Sequence, residues 1–128
     1  VTTDLTMLVW SAVLAFVQFV PYAIGRTTGW GLPVLVGSRD STPDDAPWVG
    51  RAVRAQANMM ENLPVFAILV LVAHSVVPGN ATVALGTQLF FWARLVYVPI
   101  YIAGIPWVRT LVWTVSVIGM ALILFQIV

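Results

Sequence analysis

The sequence predicts an all-α integral membrane protein, a four-helix bundle in which neighbours along the chain run antiparallel. Three observations carry that prediction. The 128 residues are 60% hydrophobic and only 9% charged, whereas a soluble domain carries about a quarter charged residues. Four apolar stretches, at about 5–24, 47–77, 81–102 and 107–128, are each long enough to cross a bilayer. All six basic residues are arginines (Arg26, Arg39, Arg51, Arg54, Arg94 and Arg109), and four alternating spans put every one in the same half of the molecule. Such one-sidedness is the positive-inside bias. It predicts a membrane protein with both termini on the outer side.

The first span, 5–24, is interrupted only by Thr6, Ser11, Gln18 and Tyr22. Val1-Thr2-Thr3-Asp4 ahead of it lacks the basic region of a secretory signal, so the segment is expected to stay as a span. Pro21 near its end predicts a kink. Residues 25–47 hold four glycines and three prolines and read as one long loop. Within it, 30–36 is apolar and begins with a tryptophan, which suits the membrane interface.

The second span starts at Pro47, a residue tolerated in a first helical turn. It is amphipathic through Asn62 and apolar after Pro64, and Pro64 has no N–H to offer the carbonyl of Met60. Pro78-Gly79-Asn80 is a short turn into the third span, and residues 103–106 form another into the fourth. The whole chain, 1–128, reads as one domain.

Composition removes several function classes. There is no cysteine, hence no disulfide framework, thiolate metal site or cysteine nucleophile. A net charge of +1 with dispersed arginines offers no basic face for nucleic acid. His74 stands without a second ligand, so no metal is expected and packing explains it better. Ser75 and Ser116 have no basic partner to activate them.

One polar constellation is left. Arg51, Arg54, Asn58 and Glu61 step by three, four and three residues and form one helix stripe, with Gln56 beside it. Arg94, Tyr97 and Tyr101 step by three and four at the inner end of the third span, and Arg109 opens the fourth. Together they suit a small zwitterionic or anionic molecule: arginines for carboxylates, Glu61 for an ammonium, Asn58 and Gln56 for amides. Each residue also has a structural reading. Arg51 and Arg54 suit lipid phosphates, with Arg51 the better anchor. Glu61 suits a salt bridge to Arg94 or Arg54. Tyr97 and Tyr101 suit an interfacial belt, and Asn58 suits interhelical hydrogen bonding. None of these explains why all of them gather at one end of three helices.

The run Arg54-Ala55-Gln56-Ala57-Asn58-Met59-Met60-Glu61-Asn62-Leu63-Pro64 resembles the signature of the membrane-associated proteins in eicosanoid and glutathione metabolism, the MAPEG family. Arg94-Leu95-Val96-Tyr97-Val98-Pro99-Ile100-Tyr101, followed by Pro106 and Arg109, resembles the same family's third-helix tyrosines and fourth-helix arginine. The long first loop and the short Pro78-Gly79-Asn80 turn resemble bacterial members more than the mammalian eicosanoid enzymes.

The resemblance implies a homotrimer that binds glutathione between neighbouring subunits near the inner face. It implies that Arg54, Gln56, Asn58 and Glu61 hold the tripeptide, that Tyr97 and Tyr101 line the pocket, and that Arg109 stabilises the thiolate. Arg109 and Tyr101 are the implied catalytic pair, and Arg26 a further carboxylate contact with Arg39 as its competitor. The implied activity is a glutathione transferase or peroxidase-like reaction on lipophilic electrophiles that partition into the bilayer, with another thiol as an alternative cosubstrate. Ala57 and Asn62 depart from members that carry an arginine and a tyrosine there. That departure supports a second reading, a non-catalytic lipid-binding or accessory subunit of a larger membrane complex. A small transporter is disfavoured, because no pair of broken helices is present.

Overall fold

The computed structural model describes residues 2–128. Val1, part of the N-terminal stretch expected outside the membrane, lies outside the described residues. Every regular element among the described residues is an α-helix. They are α1 (Thr3–Val17), α2 (Phe19–Trp30), α3 (Leu32–Val36), α4 (Pro47–Val76), α5 (Ala81–Ala103) and α6 (Pro106–Ile127). Helices α1 and α2 run on as one stretch, so four helical stretches are long and apolar enough to span a membrane: Thr3–Trp30, Pro47–Val76, Ala81–Ala103 and Pro106–Ile127.

Two local expectations change. The break in the first span falls at Gln18 rather than after Pro21. Pro21 instead occupies the first turn of α2. It cannot donate back to the Val17 carbonyl, so the hydrogen-bond ladder is interrupted just upstream of it. The loop is also shorter than its glycines suggest. Helix α2 continues through Gly25 and Gly29, and only residues 37–46 are irregular beyond α3. Gly25 serves packing: a Cβ there would overlap the Val49 side chain and lie 2.8 Å from Trp48. The chain turns at Gly31 instead, whose φ of +83° suits glycine.

Cross-helix contacts fix the antiparallel register. Phe66 on α4 stacks on Phe90 of α5 with centroids 3.8 Å apart. Fifteen residues earlier on α4 and twelve later on α5, Arg51 meets the Ile102 carbonyl. Between these points Arg94 lies level with Glu61 and Asn62. Helices α5 and α6 approach closely where Gly86 faces Gly119. A Cβ on either would sit 2.5 Å from the other's carbonyl oxygen, so small residues bring the two backbones together. The buried core gathers Leu14, Met59, Phe66, Val70, Phe90 and Ile123 from all four spans.

Candidate functional site

The site begins with a turn. Helix α5 ends at Gly104 in the left-handed conformation (φ 78°, ψ 32°). The Gly104 N–H donates to the Tyr101 carbonyl at 3.0 Å, and the Ile105 N–H donates to the Ile100 carbonyl at 3.3 Å. This glycine-dependent closure satisfies carbonyls at the helix end and reverses the chain within a few residues. Arg51 adds to it: its Nε donates to the Ile102 carbonyl at 2.7 Å. A cation is favourable at a helix C-terminus. Arg51, expected as a lipid anchor, thus spends its side chain on capping α5.

The tight reversal sets Tyr101 on α5 against Arg109 on α6, with the guanidinium 4.7 Å from the ring centroid. Tyr101 packs edge-on to Tyr97 at 5.4 Å. Tyr97 in turn carries the Arg94 guanidinium 4.4 Å from its centroid. The result is a row of two phenol rings with an arginine at each end. Asn58 on α4 completes a cleft of about 120 Å³ lined by Asn58, Tyr97, Arg109, Thr110 and Trp113. Its polar groups are a guanidinium, an amide and two hydroxyls, which suit a small anionic or thiol group. The Asn62 side chain donates to the Asn58 carbonyl at 2.8 Å and to its Oδ1 at 3.2 Å, which steers the Asn58 amide.

Arg94 is the least satisfied charge among the described residues. It is 1% exposed, and none of its three guanidinium nitrogens has a hydrogen-bond partner. The salt bridge to Glu61 that the sequence allowed does not form within the chain: Glu61 is exposed, and the ion pairs among the described residues are Arg26–Asp45 and His74–Asp4. Buried charge without a partner is costly. The Tyr97 ring face offsets part of that cost.

The remaining expected residues lie outside the cleft. Arg54 and Glu61 are exposed on one face of α4. Gln56 is clamped between helices: its Oε1 accepts from the Tyr22 hydroxyl at 2.6 Å, and its Nε2 donates to the Ala15 carbonyl at 3.4 Å. Arg26 makes a two-pronged ion pair with Asp45, at 3.0 Å from Nε and 2.9 Å from Nη2. So Asn58, Tyr97, Tyr101 and Arg109 come together, while Gln56 and Arg26 are already engaged. Sequence reasoning missed Thr110 and Trp113. The signal was there, since Arg109 and Trp113 are four apart and share a helix face. It also missed that His74 joins Asp4, Nδ1 to Oδ2 at 3.0 Å, because the two are far apart in sequence.

No curated protein matches the chain. The model of the MAPEG family matches residues 4–128, nearly the whole chain and all four spans. The helical architecture and the two motifs around Asn58 and Arg109 agree with that match, and this multi-pass membrane protein therefore belongs to the MAPEG family.

Proposed function

We propose that the protein is a membrane-bound, glutathione-dependent transferase or peroxidase-like enzyme acting on lipophilic electrophiles. The observation that carries this reading is the convergence of Asn58, Tyr97 and Arg109 on one cleft, with Tyr101 holding the other side of Arg109. A free cysteine thiol has a pKa near 8.5 and is mostly protonated at neutral pH. Arg109 at the mouth of a low-dielectric cleft favours the thiolate, which is the nucleophile. The Tyr101 ring fixes the guanidinium in place, so little reorganisation is needed when charge develops. In the transferase reaction the thiolate sulfur bonds to the electrophilic carbon, the leaving group departs with its electron pair, and the thiol proton passes to water. In the peroxidase-like reaction two thiols reduce a hydroperoxide to an alcohol and water and leave as a disulfide.

The cleft of about 120 Å³ accommodates the thiol end of a tripeptide rather than the whole of it, since ligand pockets usually span roughly 300–1,000 Å³. The rest of the ligand needs a second surface. Arg54 and Glu61 supply one: they are exposed on α4, and ionisable groups on a span normally face a partner or a polar cavity. A homotrimer with the tripeptide held between neighbouring copies puts Arg54 on a carboxylate and Glu61 on the ammonium, in an inner membrane with both termini outside. Thiol-dependent loss of 1-chloro-2,4-dinitrobenzene by the purified protein tests the reading. Turnover that falls in Arg109→Ala supports it, and turnover unchanged in both Arg109→Ala and Asn58→Ala rejects the site.

A second reading, a non-catalytic lipid-binding or accessory subunit, draws on a specific observation. Gln56 and Arg26, two of the implied ligand contacts, are both consumed by contacts within the chain. It predicts no thermal shift with glutathione and co-purified lipid or a partner helix against α4.

A further inference from the structure

Arg51 reaches from α4 to the turn that orients Arg109. At the end of α5 the carbonyls of three successive residues each find a donor. Ile100 accepts from the Ile105 N–H at 3.3 Å, Tyr101 from the Gly104 N–H at 3.0 Å, and Ile102 from the Arg51 Nε at 2.7 Å. Two of these donors belong to the turn itself, and the third comes from another helix. Gly104 leaves room for it: a Cβ there would sit 3.3 Å from the Arg51 Nε and 3.5 Å from its Cδ. Among the described residues this is the one hydrogen bond between α4 and either α5 or α6, since the others that α4 makes to a neighbouring helix go to α1 and α2 through Gln56 and His74. Apolar packing between the helices is non-directional, whereas this bond fixes how α4 stands along its axis against the turn.

The cleft depends on that level. Arg109 lies in the first turn of α6, with its N–H on the Ile105 carbonyl at 3.2 Å, so its course is set by the turn at 104–105. Tyr101, whose ring holds the Arg109 guanidinium, immediately precedes Ile102. Asn58 follows Arg51 by seven residues on α4 and so shares its face. The cleft takes Asn58 from α4, Tyr97 from α5 and Arg109 from α6. We propose that Arg51 is a positioning residue for this site: through its Nε–H on the Ile102 carbonyl it sets Asn58 and Arg109 opposite each other, without lining the cleft itself. This inference rests on the thiol-site reading above, in which Arg109 stabilises the thiolate. It gives Arg51 a role through one directed N–H, where a lipid anchor would act through charge alone.

The test is steady-state turnover of glutathione and 1-chloro-2,4-dinitrobenzene by the full chain in detergent micelles, with kcat and the KM for glutathione read separately. Two substitutions separate the donor from the charge. A glutamine Nε2 lies as many bonds from the backbone as an arginine Nε, so Arg51→Gln keeps a donor for Ile102 and removes the charge. Arg51→Met removes both. Arg51→Met is expected to lose roughly tenfold in kcat, the scale of a small misplacement of a charge-stabilising group, with KM changed by less than about twofold. Arg51→Gln is expected to keep kcat within about twofold of the unaltered chain. Gly104→Ala, which crowds the Arg51 Nε from the turn side, is expected to reproduce the loss. Equal losses of kcat in Arg51→Gln and Arg51→Met overturn the proposal, because charge and not the donor then matters. Full kcat in Arg51→Met beside an impaired Arg109→Ala overturns it and leaves the thiol-site reading standing. Unchanged turnover in Arg51→Met, Arg109→Ala and Asn58→Ala overturns both together. Where Arg51→Met does not hold its fold in micelles, Arg51→Gln and Gly104→Ala carry the comparison, and equal kcat in those two overturns the proposal.

Discussion

The two ends of the bundle treat polar groups in opposite ways. At the end away from the arginines, Asp4, His74, Asn80 and Gln126 are joined to one another or to helix N–H groups. Asp4 accepts from the Thr2 hydroxyl, from the Leu5 N–H at 2.9 Å and from His74 at 3.0 Å. Asn80 caps α5 through the Val83 N–H at 3.0 Å and donates to Gln126 of α6 at 3.1 Å. These bonds tie α1 to α4 and α5 to α6. At the arginine end Arg26, Arg51 and Gln56 are engaged, but other polar groups stay open. Arg94 is buried without a partner, Arg54 and Glu61 are exposed without one, and Arg109 faces only a ring. One end closes the bundle, and the other keeps charges available at a cost in stability, which is the pattern expected where a chain reserves polar groups for function.

The largest effect expected of any single change follows from that contrast. Arg109→Ala should lower thiol-dependent turnover about 100-fold or more, the scale of losing one preorganised charge-stabilising donor, while its melting temperature in detergent stays close to that of the unaltered protein. Asp4→Ala should do the reverse. It strands the Leu5 N–H and His74 and should cost about 1–3 kcal/mol of stability, read as a lower melting temperature with turnover retained. If both variants lose activity and stability alike, the division between the ends is wrong.

Arg94→Met sharpens the comparison further. Replacing an unpaired buried charge by an apolar side chain of similar length is often neutral or stabilising. The expected result is a melting temperature equal to or above that of the unaltered chain. A clear drop would show that Arg94 has a partner in the assembled protein, with Glu61 of α4, level with it, as the first candidate to test by a double-mutant cycle.

Much of this contrast was legible in the sequence, and the reasons are physical. Span number and the one-sidedness of the arginines follow from hydropathy and charge, which act locally and leave a direct mark on composition. The shared faces of Arg94, Tyr97 and Tyr101 follow from helical spacing. What escaped was contact between distant segments. Nothing near Gly25 in sequence says that Val49 and Trp48 need its missing Cβ, so on spacing alone it reads as a helix breaker. Nothing near Gln56 says that Tyr22 claims its carbonyl oxygen, or near Arg26 that Asp45 claims its fork. Those pairings depend on how the helices pack, and they decide which polar residues remain free for a ligand.

The smallest expected effect probes one such pairing. Tyr22→Phe removes the hydroxyl that donates to Gln56 Oε1 at 2.6 Å and leaves the ring in place. The weaker bond from Gln56 Nε2 to the Ala15 carbonyl, at 3.4 Å, does not hold the amide alone. Loss of the stronger bond should cost about 1 kcal/mol and loosen the packing of the first span on α4 near the Gln18 break. If Gln56 is only a clamp between helices, Tyr22→Phe lowers the melting temperature slightly and leaves glutathione affinity unchanged. If Gln56 also serves the ligand, freeing its amide raises that affinity, and Gln56→Ala abolishes the rise. The first outcome is expected, because a side chain that joins two spans at the level of a helix break contributes most by holding them together.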